Sequence, residues 1–356
     1  MAPPVKNRRF SAGVWLGLLL AAGLFGYFLV DVDWPLLAES ITGVKPLPVL
    51  GAILLVLSEF FMRAFRWRIL LKPVAPKASR WDLLMAILIG AAANTLLPAR
   101  AGEIAKPLVA SRKLDVPFAA VLGTAVMERV YDIFGLICVL VTMVIVLPHQ
   151  PGDGSAQDAV LVYKLKLYGG AFGLVALSCM VVFFVLASRG KQAGRVFRKI
   201  TALAPDPIAK PFDQLFDGFV VGLGSARDLG GMARAAGISA VIWFNGALAI
   251  YLLFYAFGFE LSFGAACFTA VAIALAVVLP QAPGFLGVFQ VAMEQTMLLW
   301  SVEPTGAKAF AMLFWAVSFI PVTTLGLLAI WREGLSLREI WSTEREPLIP
   351  PPDEVA

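Results

Sequence analysis

Six stretches of this chain are apolar for about the length of a bilayer-spanning helix: residues 11–30, 47–65, 116–147, 165–187, 235–257 and 309–330. A run of roughly 20 apolar residues matches the thickness of the hydrocarbon core as a helix. The charges sit between these runs. Only 15% of the 356 residues are charged, whereas 60% are hydrophobic, and a soluble domain carries about 25% charged residues. The expected class is an all-α polytopic membrane protein.

Two further apolar stretches are interrupted. The first begins near Trp81 and breaks at NTLLPARAGE (94–103), and the second, 264–300, breaks at PQAPGFLGVFQ (280–290). Each is read as a re-entrant hairpin, so the fold expected is about six full transmembrane helices plus two such hairpins. The distribution of lysine and arginine sets the orientation. With a cytoplasmic N-terminus and both hairpins re-entrant, 24 basic residues fall inside and four (Lys45, Lys164, Lys166 and Lys308) fall outside. That bias is the positive-inside pattern. It also gives the net charge of +5 a membrane origin, so no nucleic-acid partner is expected.

The same topology makes residues 47–147 and 235–330 two units of span, hairpin and span with opposite orientation. Inverted repeats with broken helices are a recurrent transporter plan. The remaining organisation reads as a cytoplasmic tail at 1–10, one transmembrane domain over 11–335 and a basic cytoplasmic linker with amphipathic helices at 188–234. An amphipathic and disordered cytoplasmic tail follows at 336–356. The first run follows Lys6, Arg8 and Arg9 as in a signal peptide, but the DVDWP after it has no small-residue cleavage site, so it reads as an uncleaved helix.

Four constellations carry polar chemistry inside these apolar runs. At the first break, Pro98 removes a backbone donor and Gly102 allows tight geometry. Asn94 offers an amide, Arg100 can grip a phosphate, and Glu103 opens the next helix. The plain alternative makes Glu103 a helix-start acid and Arg100 a snorkelling surface arginine. Within the run 116–147, Glu128 and Asp132 are four residues apart and Arg129 is three from Asp132, which places a charge cluster in lipid. The alternative is an ion pair that locks helices together.

The second break holds Pro283, Gly284, Gly287 and Gln290, with Glu294 one turn on. Gly284 and Gly287 let backbone or ligand approach closely, and the helix after Gly287 points an anion-attracting N-terminus into the membrane; the alternative is a packing kink. Arg63, Arg66 and Arg68 end the second run. They are either positive-inside residues or recruiters of lipid headgroups.

Several functions are excluded. Cys138, Cys179 and Cys267 lie in apolar stretches without a CxxC spacing, and the only histidine, His149, sits in a polar loop, so neither a zinc site nor haem ligation is supported. No phosphate-binding loop of the Walker type occurs, so ATP is not the direct driver. No cofactor is expected.

FRWRILL, NTLLPARAGEIAKPLV, MERVYD and LPQAPGFLGVFQ occur in an order that resembles the lysylphosphatidylglycerol synthase transmembrane region family, also called flippase-like domain proteins. The resemblance spans about residues 10–335. It implies a membrane domain that moves lipids between leaflets. It also implies functional roles for Asn94, Pro98, Gly102, Glu103, Glu128, Arg129, Asp132, Pro283, Gly284 and Gly287. Two departures stand out. Family members often carry Glu where Gln290 stands. The chain ends about 25 residues after its last span, so a soluble aminoacyl-transferase domain, and with it lysyl-lipid synthesis, is not expected.

The functional expectation is a membrane lipid transporter, not an enzyme, of the bacterial inner membrane with both termini cytoplasmic. Its partners would be polar-headgroup lipids and possible lipid-biosynthesis enzymes. The competing expectation is a membrane-embedded enzyme or scaffold subunit in a lipid or lipid-linked glycan pathway.

Overall fold

The structure is a computed structural model that describes residues 12–30, 32–146, 228–277 and 283–335, with scattered positions between 167 and 221. The expected span at 165–187, most of the linker at 188–234 and both tails lie outside the described residues. Among those described there are helices and no strands. The chain is an all-α polytopic membrane protein.

The helices are α1 (Ala12–Leu29), α2 (Trp34–Thr42), α3 (Pro46–Leu71), α4 (Arg80–Leu96), α5 (Gly102–Leu114) and α6 (Phe118–Val146). They continue as α7 (Leu229–Phe257), α8 (Phe263–Ala276), α9 (Val288–Leu299) and α10 (Pro304–Arg332). Four of them, α3, α6, α7 and α10, are long and apolar enough to cross a membrane. Their ends carry local signals. Ser79 accepts a hydrogen bond from Trp81 N at 3.2 Å to start α4, and Ser262 accepts one from Ala265 N at 3.3 Å to start α8. Pro304 follows the cap Glu303 at the start of α10, where a missing N–H costs nothing.

Helix α3 runs six residues beyond the apolar stretch that ends at residue 65. Hydropathy placed the boundary at the arginines. The helix continues because those arginines find partners inside the bundle. The fold is accordingly polar within and apolar without: Arg66 is 0% exposed, whereas Leu54 on the same helix is 58% exposed and Ile145 on α6 is 62% exposed. Large exposed apolar residues along the long helices suit a lipid solvent.

Both interrupted stretches fold into helical hairpins. In the first, α4 and α5 pack on each other across a single 3-10 turn at Pro98–Arg100. Their approach is so close that a Cβ on Gly102 would collide with the Gly90 carbonyl oxygen and lie 2.6 Å from Asn94 Oδ1. Only glycine fits there. In the second, α8 and α9 pack across a 3-10 turn at Pro283–Phe285.

The two turns share a backbone design. Each starts with proline, holds a residue at positive φ two positions later (Arg100 at 55°, Phe285 at 59°), and has a glycine two residues further on (Gly102, Gly287); the second turn adds positive φ at Gly284 (74°) and Gly287 (85°). The packing of the two units is reciprocal. Helix α4 of the first hairpin packs on α10, α8 of the second packs on α6, and α3 pairs lengthwise with α7. The α4–α10 contact is close enough that a Cβ on Gly326 would lie 2.5 Å from the Leu88 carbonyl oxygen.

The two halves of the interior differ in chemistry. Around α9 and α10 the core is a ladder of rings: Phe254 to Phe310 at 5.3 Å, Phe289 to Phe314 at 5.5 Å and Phe285 to Phe319 at 5.0 Å between centroids. Around α3, α5 and α6 it includes charge.

Candidate functional site

The charge gathers where α3, α5, α6 and α7 meet. Arg66 of α3 donates from Nη1 to Asp132 Oδ1 at 2.7 Å and to Ser239 Oγ of α7 at 2.8 Å. The Ser239 hydroxyl donates onward to the Ala235 carbonyl at 2.8 Å, so its lone pair is free to accept. Arg66 Nη2 lies 3.6 Å from Glu128 Oε1, and Lys106 of α5 donates to Glu128 Oε2. Arg129 bridges Asp132 at 3.3 Å and Glu103 at 2.8 Å. Arg63 donates from Nε to Glu59 at 2.9 Å and comes within 3.8 Å of Asp132.

Four cations (Arg63, Arg66, Lys106 and Arg129) thus face four carboxylates (Glu59, Glu103, Glu128 and Asp132). A cluster balanced in this way can sit among apolar helices at tolerable cost, because each charge is met by an opposite one. It is graded from closed to open: Arg66 is sealed, whereas the Arg129 side chain is 54% exposed.

Aromatic neighbours frame the sealed end. Trp67 Nε1 donates to Thr124 Oγ1 at 3.0 Å, and the Lys106 ammonium lies 4.1 Å from the Trp67 ring centroid. A cation over an indole face is attracted by the ring quadrupole.

The cluster leads directly to the first hairpin tip, since Glu103 is in the first turn of α5. At the tip, the buried Asn94 Oδ1 has no hydrogen-bond partner. Arg100, held at positive φ, forms no ion pair among the described residues. Pro98 opens the turn and Gly102 closes it against α4.

The second tip meets the first. Its turn packs on α4, and a Cβ on Gly284 would lie 3.9 Å from the Thr95 carbonyl oxygen. Pro283 opens this turn. The Gly284 carbonyl accepts from Trp315 Nε1 at 2.7 Å, and Gly287 N donates to Gln290 Oε1 at 2.8 Å, which leaves Gln290 Nε2 buried without a partner. The structure therefore sets the second turn, with Pro283 and Gly284, against the end of α4 at Thr95, beside Asn94. Pro98, Arg100 and Gly102 follow in the first turn, Gly287 and Gln290 in the second, and Glu103, Glu128, Arg129 and Asp132 extend from the first tip.

The three arginines at the end of α3 do not form one basic surface, which corrects the expectation of a shared headgroup-recruiting set. Arg66 is fully buried on Asp132, Arg63 is paired with Glu59, and Arg68 donates from Nε to the Ala78 carbonyl at 3.0 Å. Arg63 and Arg66, three residues apart, share the face that meets Asp132 of α6, whereas Arg68 lies on another face and turns to Ala78.

Sequence reasoning missed Glu59, Lys106 and Ser239. Glu59 and Arg63 carry a legible signal, an opposite-charge pair at four-residue spacing inside an apolar run. Lys106 lies one turn after Glu103. Ser239 offers no signal, because a serine in an apolar helix commonly satisfies itself on its own backbone. Among the described residues no group of three or more His, Cys, Asp or Glu could hold a metal ion.

The family model described as lysylphosphatidylglycerol synthase TM region matches residues 14–326. A protein named glycosyltransferase AglD from Haloferax volcanii is 24% identical over 322 residues, covering 85% of this chain and 51% of that protein. The chain thus spans about half the length of that relative. A UPF0104 membrane protein of Methanothermobacter thermautotrophicus is 23% identical over 289 residues, covering 78% of this chain and 80% of its own. Another, from Methanocaldococcus jannaschii, is 21% identical over 238 residues, covering 67% of this chain and 92% of its own. With the match running through both hairpins and all four long helices, this chain belongs to the lysylphosphatidylglycerol synthase TM region family.

Proposed function

We propose that this protein moves a polar-headgroup lipid between the leaflets of a cell membrane, along a path between two re-entrant hairpins. The observation that carries the reading is the junction of the two hairpin tips. There Arg100, without an ion pair among the described residues, and an unpartnered Asn94 Oδ1 sit beside a buried, charge-balanced cluster. Polar groups held at membrane depth default to a pathway role, and broken helices place free backbone groups at the same point.

In this mechanism Arg100 takes the headgroup phosphate through its fork of N–H donors. Glu103 and Arg129, the exposed edge of the cluster, open to exchange partners with the passing headgroup, while Arg66, Asp132 and Ser239 stay closed and hold α3, α6 and α7 in register. The acyl chains remain in lipid. The two hairpins enter from opposite faces as inverted repeats, both termini are cytoplasmic, and the protein performs no covalent chemistry.

The test is reconstitution of the purified chain in vesicles with a trace of headgroup-labelled lipid. A membrane-impermeant reductant should bleach label from the inner leaflet faster with protein than without. Glu103→Gln and Arg100→Gln should each slow that loss. No acceleration across anionic, zwitterionic and aminoacylated lipids would overturn the proposal.

A second reading is favoured by the similarity to a protein named a glycosyltransferase. On it, the chain is the membrane subunit of a lipid-linked glycan pathway and works with the enzymes of that pathway. Chemical conversion of the labelled lipid, without a change of leaflet, would support it.

A further inference from the structure

A second polar site lies at the other end of the bundle. The end of α1, the start of α2, the last turns of α9 and the start of α10 enclose a pocket of about 260 Å³. Glu294, Lys308, Asp33, Thr305 and Tyr27 supply its polar lining. The opposite end of α10, at Arg332, is 28 residues away from Pro304, or about 42 Å at the helical rise. At that far end Lys113 of α5 pairs with Glu333 at 2.7 Å and with Asp82 of α4 at 3.0 Å, so the pocket and these ends of α4 and α5 face opposite sides of the bundle.

The charges in this pocket are unfinished. Glu294 is only 7% exposed, and its Oε2 has no hydrogen-bond partner. Its Oε1 is 3.9 Å from Lys308 Nζ, too long for a hydrogen bond. Lys308 donates to the Val30 carbonyl at 2.6 Å, which uses one of its three N–H donors. Asp33 is already engaged, since its carboxylate caps α2 by accepting from Leu36 N at 3.1 Å. A buried carboxylate oxygen without a donor is costly, and the volume exceeds that of a single water or ion.

Two observations point to what fills the pocket. The open valences are Glu294 Oε2 and the remaining N–H donors of Lys308, an anion and a cation whose charged atoms lie 3.9 Å apart without a hydrogen bond, which is complementary to a ligand carrying both charges. Tyr27 of the lining is 61% exposed, and Trp34, next in sequence to the lining residue Asp33, is 57% exposed; exposed Tyr and Trp mark the height at which headgroups lie.

We propose that this pocket binds the zwitterionic headgroup of a lipid, an aminoalkyl phosphate whose ammonium meets Glu294 Oε2 and whose phosphate meets Lys308. The inference rests on the transport reading only for its place on a route between leaflets. Binding itself is measured without transport.

The probe is glycerophosphoethanolamine, the soluble headgroup, titrated calorimetrically into the purified full chain in maltoside micelles. Saturable binding is expected, with glycerol 3-phosphate (no ammonium) and ethanolamine (no phosphate) each at least about tenfold weaker. Glu294→Gln should abolish the preference over glycerol 3-phosphate, and Lys308→Gln the preference over ethanolamine. Glu294→Asp keeps the charge and should keep the preference, which separates recognition from loss of fold.

Absence of saturable binding, equal binding of all three probes, or preferences unchanged in both glutamine variants would overturn the proposal. Binding without leaflet exchange in vesicles would leave this pocket standing and remove the transport reading. Exchange without binding would do the reverse.

Discussion

Neutralising Asp132 tests whether the charge cluster is one unit. Asp132 takes Arg66 at 2.7 Å, Arg129 at 3.3 Å and Arg63 at 3.8 Å. In Asp132→Asn the four cations face three carboxylates, and the fully buried Arg66 loses its shortest charged contact. Breaking a buried pair by removing one partner costs about 3–5 kcal/mol, a large share of the roughly 5–15 kcal/mol that holds a typical domain. Arg129 is at the exposed edge, so Arg129→Gln should cost about 1 kcal/mol or less. The double variant Arg66→Gln/Asp132→Asn removes both members of the sealed pair. It should be less destabilised than the two single variants added together, by at least about 1 kcal/mol. Reversible unfolding in mixed micelles titrated with dodecyl sulfate measures all four. If Asp132→Asn costs no more than Arg129→Gln, or if the single effects add, the sealed pair carries no coupling energy and the argument from buried compensation is wrong.

Two other measurements probe the hairpins and the long helices. Gly102→Ala should prevent the first hairpin from closing, because the new methyl would meet the Gly90 carbonyl, whereas Gly237→Ala, with nothing within 4 Å of its added Cβ, should unfold at nearly the wild-type point; comparable behaviour of the two in the same titration would refute the close approach. Glu303 accepts from Thr305 N at 3.1 Å and Gly306 N at 3.0 Å, and these backbone bonds hold its carboxyl below the usual carboxylate range. A depressed acid stabilises most above its ordinary value, and that contribution fades as pH falls through its folded value. Glu303→Ala should therefore lower the thermal midpoint at neutral pH, and the gap from wild type should narrow on acidification below about pH 4.

The long helices were legible because a bilayer imposes a length and a composition, and α6 lies within two residues of its apolar run. The hairpin breaks were legible because proline, glycine and polar residues cluster there within about ten positions, whereas the lone Pro321 leaves α10 continuous. The interior ion pairs were only half legible. Glu128, Arg129 and Asp132 stood out on one helix, but nothing in a linear pattern says that Arg66 turns toward them instead of toward water. That choice depends on which face α3 presents to α6, a tertiary fact. Ser239 and the Glu294–Lys308 pocket were hidden for the same reason, since each depends on partners more than ten residues away in sequence. The aromatic filling of the second half was also unread, because phenylalanine in an apolar run is expected whether it faces lipid or protein.

The contacts of Arg66 also constrain how the chain is made. Its carboxylate partner Asp132 comes 66 residues later and its hydroxyl partner Ser239 comes 173 residues later. At 5–20 residues per second of synthesis, those partners emerge roughly 3–13 s and roughly 9–35 s after the arginine. Until then the newly made α3 carries Arg63 and Arg66 without Asp132 of α6, and Arg66 also without Ser239 of α7. Arg66 is five residues from the end of the helix at Leu71, close enough for a long side chain to reach the headgroup layer. The nascent helix must wait at a shallow depth and sink only as α6 and α7 arrive, so the final burial of α3 is a late event in assembly.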